Sequence, residues 1–365
     1  MDNQRLWQHR SKEEDKEAIL SLNLLERANV PKEKTLKCIY AVSNHIEEHY
    51  REVFIPKKKG GRRKLLVPDY LLHTMQKNIL RIILSEEKVS KYAKAYCPGR
   101  RIRDNAFAHV GAETILELDI KDFFENITYI MVYQCVFSGE YYPPAVRTLL
   151  TQLCCYRDYL PQGAPTSPMI SNLVMFSFDQ YMGKWCEERE ICYTRYCDDM
   201  TFSGKFDVRE VKQKVRSYLQ VLGFELNLKK TKVLKQYNRQ SVTGIVVNEK
   251  AQVSKTYRRD VRQAVYYCGK YGVQEHLQRT GAQMWLQKGE ERYLQHLMGK
   301  VNYILQVNPE DCTFQEVRKN LLRIQGSAKE ENHDYDFNRK ELIVTASMEK
   351  QAEVRDILAE KPYAV

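Results

Sequence analysis

The sequence predicts an α+β fold, an antiparallel sheet with helices behind it. Three observations predict it. Short β-forming runs bounded by turn residues occur in FIPKKKGGRRKLLVP (54–68) and on both sides of the pair Asp198-Asp199. The segment ETILELDI (113–120) alternates, with Leu116, Leu118 and Ile120 on one side and Ile115, Glu117 and Asp119 on the other. Helical spacing dominates elsewhere, above all from residue 255 onward.

Residues 1–52 are charged, with Ile19, Leu22, Leu24 and Leu25 set among Glu and Lys, and read as helical. In 54–68 the β-formers run into Gly60-Gly61 and out again, a hairpin. Its tip carries Lys57, Lys58, Lys59, Arg62, Arg63 and Lys64 without an acid. A solvated basic loop accounts for that tip, and so does a grip on phosphates, since Arg offers a fixed fork of donors and Lys a point charge. Helical pattern returns in YLLHTMQKNILRIIL (70–84). The run 113–120 is a half-buried strand ending on an outward carboxylate. LPQGAPTSPMISNLVMFSFDQYM (160–182) starts as a loop and enters an apolar helix, with Ser167 as N-cap and Pro168 at the first helical position. TRYCDDMTFSG (194–204) sets two aspartates on a tight turn between strands, and KTYRRDVRQAVYYCGKYG (255–272) opens a basic helical region. The tail 326–365 is polar apart from ELIVTAS, a candidate strand.

At 365 residues the chain can hold two or three subdomains. Its 58 Lys+Arg against 47 Asp+Glu leave a formal charge of +11 and a pI near 9.0. That balance favours a polyanionic partner, nucleic acid over a membrane surface, although a merely soluble basic protein fits charge alone as well. The ten cysteines show no C-x-x-C pairing and no zinc-like His partners. They read as reduced thiols of a cytoplasmic protein. There is no N-terminal apolar leader and no apolar run of membrane length.

Adjacent aspartates repel, and a lone Asp-Asp turn is ordinarily a solvated loop. Set beside Asp119, which also ends a strand, the pair acquires a chemistry. Three carboxylates brought together suit divalent cations, with Mg²⁺ taking the rest of its shell from water and substrate phosphates. Two such ions about 3.5–4 Å apart can activate an attacking hydroxyl and stabilise a leaving pyrophosphate, which is nucleotidyl transfer. The ordered set of basic hairpin, strand-end Asp, Gln-Gly loop and aromatic-x-Asp-Asp hairpin is far more specific than any member.

YCDD (196–199), LELDIKDFF (116–124), LPQGAPTSP (160–168) and LGFELNLKKTK (222–232) resemble, in order, the palm motifs of reverse transcriptases. The resemblance covers roughly residues 50–310. It implies a right-hand polymerase, with an N-terminal helical region and fingers (1–112), a palm with an antiparallel sheet and an interleaved fingers segment (113–250), a helical thumb (251–325), and a tail of unassigned role (326–365). It implies an RNA-directed DNA polymerase using deoxynucleotides and two Mg²⁺ ions, with Mn²⁺ a substitute. Asp119, Asp198 and Asp199 would be the metal carboxylates, and the Ile120 carbonyl would complete one shell. Phe124 falls at the steric gate against a ribose 2′-hydroxyl, although ordinary core packing accounts for it too. Gln162 and Gly163 would line the nucleotide pocket, and Arg63, with Lys58 or Lys59, would hold the triphosphate. Lys230 stands where a lysine could protonate pyrophosphate, or is a plain surface cation. Cys197 occupies a position where Ala or Met is more usual.

Two further stretches narrow the resemblance. RDNAFAHVG (103–111) contains Asn105 and His109, four apart and so on one helix face, and QSVTGIVVN (240–248) contains Val242, Thr243 and Gly244. In these positions they resemble the two hallmark motifs of retron reverse transcriptases, and LMGKVNYILQVNP (297–309) resembles their thumb. The resemblance implies binding of a cognate structured non-coding RNA (msr-msd), priming from a guanosine 2′-hydroxyl, a branched RNA–DNA product (msDNA), and antiphage defence with a separate effector protein. A higher-order ribonucleoprotein is compatible with it. Asn105, His109, Val242, Thr243 and Gly244 are expected near the RNA. Lys255, Arg258 and Arg259 would track phosphates, while Tyr257, Tyr266 and Tyr267 stack on bases or pack. The competing readings are a reverse transcriptase of a group II intron or of an abortive-infection system, and an RNA-binding scaffold restraining a toxin. An intron enzyme would ordinarily carry a maturase extension, and the chain ends at Val365 without one. Phe124 as a gate speaks against a plain RNA polymerase.

Overall fold

The computed structural model describes residues 10–57 and 60–331; Lys58, Lys59 and the ELIVTAS stretch lie outside the described residues. The predicted α+β class is observed. Two helices lead, Lys12–Ser21 and Lys32–Asn44. The first is fixed by a capping box: Ser11 Oγ accepts from Glu14 N–H, and the Glu14 carboxylate accepts from Ser11 N–H at 2.6 Å. The hairpin follows as β1 (Tyr50–Pro56) and β2 (Arg62–Pro68), turning at Gly60 and Gly61 with φ of 90° and 81°. The helix Tyr70–Asn78, capped by Asp69, widens into a π turn over Ile79–Ile83.

The central sheet is made of β3 (Thr114–Asp119), β4 (Cys192–Tyr196), β5 (Asp199–Gly204) and β6 (Lys232–Lys235), in the order β4-β5-β3-β6 with every pairing antiparallel. One face carries Leu116, Leu118, Tyr193, Met200 and Phe202. It packs on Phe178 and Met182 of the helix Phe176–Glu187 and on Val211 and Val215 of the helix Val208–Val221. Each large apolar side chain so enclosed contributes about 1.5–3 kcal/mol by leaving water. The upstream helix begins at Ser167 with Thr166 before it, so Ser167 is its first residue and not its cap. Its hydroxyl instead donates to the Pro161 carbonyl at 2.6 Å and ties the helix to its own loop.

β3 is enclosed on both faces where the sequence pattern predicts half-burial. The cause is the segment 102–112, laid across the second face. Ala106 and Ile115 share a core there, and the His109 ring stands between β4 and β5, its Nδ1 2.7 Å from Ser203 Oγ and its Nε2 2.7 Å from Thr194 Oγ1. Next along the chain come β7 (Ser241–Val242) and β8 (Ile245–Val246). Thr243 and Gly244 form their turn with φ of 48° and 84°, both positive as a two-residue I′ hairpin requires. Val242, Ile245 and Val247 join the apolar core of the C-terminal helices Lys255–Tyr271, Glu290–Val307 and Cys312–Glu331, so that core reaches upstream of residue 251. All ten cysteines are free thiols. No helix among the described residues is long and apolar enough to cross a membrane.

Burial holds the His109 imidazole neutral, pushing its pKa from 6.5 down to about 3, with Lys94 adding to the effect. The unfolded chain binds a proton below about pH 6.5 that the folded chain refuses, so this contribution to stability is full above that pH and is lost as pH falls. His109→Ala should cost about 2–4 kcal/mol, since two buried hydroxyls lose their partner and a void opens. In urea denaturation the gap between wild type and variant should narrow by about 2 kcal/mol from about pH 7.5 to about pH 5. A gap that ignores pH would contradict the neutral pin.

Candidate active site

The register of β3 against β5 sets Asp119 opposite Asp199, and β4 against β5 sets Tyr196 opposite Asp199. Residues directly opposite in an antiparallel pair share a face, so the two carboxylates stand side by side. Cys197 and Asp198 make the turn between β4 and β5, with Cys197 left-handed at φ 63°. The Asp198 carbonyl accepts from Ile120 N–H at 3.0 Å, which brings the turn onto the end of β3. All three predicted carboxylates therefore meet at one sheet end.

The fourth member arrives from the LNLKK segment. Asn227 N–H donates to the Asp119 carbonyl at 2.8 Å, and the single 3₁₀ turn Leu228–Lys230 then aims Lys230 back. Its Nζ lies 2.8 Å from Asp119 Oδ2. Burial works against the Lys230 ammonium, but the bond to Asp119 and the charges of Asp198 and Asp199 outweigh it and hold its pKa above the ordinary lysine value.

One ammonium does not neutralise three carboxylates. Asp119 is only 4% exposed and its Oδ1 is buried without a partner. Desolvation first, then Asp119, raises the pKa of Asp198. Desolvation, then Asp198, Asp119 and Glu117, push Asp199 up to about 7. Hard, unsatisfied oxygen donors carrying excess negative charge fit a divalent cation of the Mg²⁺ or Mn²⁺ kind. Among the described residues no three His, Cys, Asp or Glu side chains are placed to cage an ion by themselves. Asp199 is exposed and Asp198 half-buried, which suits a cation that completes its shell with water and phosphate oxygens.

The loop 160–168 is docked on the basic hairpin through backbone. Leu66 N–H donates to the Gln162 carbonyl at 2.8 Å. Gly163 has φ +127°, and a Cβ there would stand 2.6 Å from the Leu66 carbonyl oxygen, so only glycine allows this approach. Arg63 is exposed on β2, opposite Ile55. Phe124 is half-buried, edge-on to Phe123 at 5.5 Å, and Phe123 in turn packs on Phe224 at 5.8 Å.

A model of the reverse transcriptase (RNA-dependent DNA polymerase) family matches residues 55–257. The chain is 32% identical over 284 residues to the retron Mx65 reverse transcriptase of Myxococcus xanthus, covering 72% of this chain and 62% of that protein. It is 31% identical over 233 residues to the retron Ec86 reverse transcriptase of Escherichia coli, covering 62% of this chain and 72% of that protein. The chain belongs to the retron reverse transcriptases. A telomerase structure from Candida albicans, with a fragment of telomeric RNA, shares 11% identity and a TM-score of 0.42 over 75% of this chain and 63% of its own. Likeness at that level decides nothing. The chain spans 62% of the length of the Mx65 protein.

For a retron reverse transcriptase, several residues expected at the RNA are buried or engaged within the chain. Asn105 and His109 are 0% and 1% exposed, and Val242 is 0% exposed. Val242 belongs to the apolar core and the His109 ring is held by two buried hydroxyls, so these two help join the segment 102–112, the sheet and the β7–β8 hairpin, whereas Asn105 is buried with neither amide atom hydrogen-bonded. Arg258 pairs with Asp311 and lies 5.3 Å from the Phe314 ring centroid, so it fastens two C-terminal helices together. Lys255 and Arg259 are exposed on the same helix. Tyr257 packs edge-on against Tyr303, while Tyr266 and Tyr267 are exposed. Gly244 is exposed with open space where a Cβ would be, so its positive φ, and no close neighbour within the chain, accounts for glycine there.

Sequence reasoning passed over Arg195, Asp179 and Tyr96. Tyr96 stands within hydrogen-bonding reach of the Cys197 thiol. Arg195 had a legible signal, a cation on the strand face that otherwise carries Tyr193, Met200 and Phe202.

A divalent cation bound at Asp199 would have to displace the proton that burial and the neighbouring carboxylates favour there. The apparent Mg²⁺ affinity of this reverse transcriptase should therefore rise by up to about tenfold per pH unit below about 7 and level off above it. Half-saturating Mg²⁺ for primer extension, measured across that range, checks this; a flat profile would contradict it.

Proposed function

We propose that this retron reverse transcriptase copies part of a cognate structured non-coding RNA (msr-msd) into DNA, priming from a guanosine 2′-hydroxyl. The product would be a branched RNA–DNA molecule serving antiphage defence in the cytoplasm, beside a separate effector protein. The observation that carries the retron reading over other reverse transcriptases is the union of its two distinguishing stretches. Gly111 N–H donates to the Val247 carbonyl and Gln240 Nε2 to the Ala112 carbonyl, each at 2.9 Å, while Ala106 shares a core with Val242 and Ile245. Residues 103–111 and 240–248 thus make one unit against the sheet that bears the carboxylates. At its tip Thr243 is β-branched at positive φ, and its Oγ1 is buried without a partner. A strained, unsatisfied position supports a role in contact with RNA.

In this reading Asp119, Asp198, Asp199 and the Ile120 carbonyl hold two Mg²⁺ ions, or Mn²⁺ in their place. The ions supply activation of the attacking hydroxyl and stabilisation of pyrophosphate. The chain's own residues do the rest. Arg63, with Lys58 or Lys59, binds the triphosphate, and the docked loop at Gln162 and Gly163 walls the pocket. Phe124 excludes a ribose 2′-hydroxyl. Lys230 donates its proton to the departing pyrophosphate. Lys255 and Arg259 bind backbone phosphates. Along the chain, fingers, palm and thumb follow the boundaries 1–112, 113–250 and 251–325, with Val242, Ile245 and Val247 packed into the core of the thumb helices.

The test is nucleic acid co-purifying with wild type and with Asp198→Ala, each expressed with its upstream locus and treated with RNase and debranching enzyme. A discrete single-stranded DNA from wild type alone, shifted by debranching, is expected. Unbranched DNA would overturn the priming assignment. Stable RNA with no DNA from either protein would favour an RNA-binding scaffold.

A further inference from the structure

Among the described residues Arg195 is the largest of the fully buried side chains, and it is charged. Its guanidinium forks onto Asp179 of the helix Phe176–Glu187, Nε donating to Oδ1 at 2.8 Å and Nη2 to Oδ2 at 2.6 Å. Both side chains are 0% exposed. The Tyr193 hydroxyl donates to the same Oδ1 at 2.8 Å. The backbone of Arg195 is clamped as well, its N–H donating to the Tyr92 carbonyl and its carbonyl accepting from Lys94 N–H. The remaining donor, Nη1, reaches the Cys197 carbonyl at 2.9 Å.

That carbonyl belongs to the peptide joining Cys197 to Asp198. The following peptide is held at the Asp198 carbonyl by Ile120 N–H at 3.0 Å. Both peptide planes that flank Asp198 are therefore pinned, one from beneath the sheet by Arg195 and one by Ile120, just past the end of β3. The pinned turn contains a non-glycine residue at φ 63°, a conformation that persists only where its surroundings over-determine it. A buried ion pair adds little net stability over an apolar replacement of similar volume, so its presence beneath the catalytic turn calls for another account.

We propose that Arg195 and Asp179 are positioning residues for metal binding. They fix the Cys197–Asp198 peptide so that the Asp198 and Asp199 carboxylates face Asp119 before any cation arrives. Tyr193 completes the hydrogen bonding of Asp179 and keeps it aligned. The inference rests on the assignment of the three aspartates as metal ligands.

Mn²⁺ binding to the full chain, followed by electron paramagnetic resonance without nucleotide, tests it. The combined variant Asp179→Leu, Tyr193→Phe, Arg195→Met exchanges the polar cluster for apolar packing and should unfold near the wild-type denaturant midpoint. Its Mn²⁺ Kd should be raised by about 10–100-fold, the usual cost of losing the groups that orient metal ligands. Arg195→Lys keeps the charge beside Asp179 but cannot serve both the fork and the Cys197 carbonyl. It should be folded, bind Mn²⁺ more weakly than wild type, and regain primer extension at saturating Mg²⁺. Should the combined variant not fold, Arg195→Lys decides. Wild-type Kd in folded Arg195→Lys would overturn the positioning role while leaving the metal site intact. Wild type that binds no Mn²⁺ would overturn the metal assignment itself.

Discussion

Like charges placed opposite each other on neighbouring strands work against a sheet. At an effective dielectric of about 20 and about 5 Å apart, two carboxylates repel by about 3 kcal/mol. The β3–β5 register imposes that arrangement on Asp119 and Asp199, and the turn adds Asp198. Much of the surrounding structure holds the three against their repulsion. Ile120 and Asn227 pin the backbone on either side of β3's end, Lys230 returns one positive charge, and Arg195 anchors the turn from the opposite face. Desolvation, with the repulsion left over added to it, pushes the Asp199 pKa up to about 7. A cation can take the place of the proton so favoured.

The basic hairpin and the loop 160–168 are held together by another means. Their junction is backbone on backbone, Leu66 to Gln162, with Gly163 where any Cβ would collide. Such a contact fixes the loop on the hairpin independently of side-chain chemistry. Arg63 stands exposed on β2, opposite Ile55, outside that junction.

Much of this was legible in the chain. Period-two alternation in 113–120 placed Asp119 at a strand end, and Gly60-Gly61 placed the hairpin, because both signals are local and steric. What stayed hidden was long-range. The burial of Asn105, His109 and Val242 depends on one segment crossing a sheet formed by strands far along the sequence, which no local period encodes. For the same reason a basic run cannot show how its cations are engaged within the chain: Arg258 and Arg259 are adjacent, and one fastens helices while the other, exposed, meets its neighbour Asp260 at 3.5 Å. Arg195 was masked differently, since a cation on an apolar face breaks the pattern but does not name its partner.

The most direct measurement of the central claim is anomalous scattering from crystals soaked in Mn²⁺ with a non-hydrolysable deoxynucleoside triphosphate. Two peaks bounded by the carboxylates of Asp119, Asp198 and Asp199, with triphosphate oxygens closing their open side, are the predicted result. Manganese bound at other residues, or none at this sheet end with nucleotide present, would contradict the account.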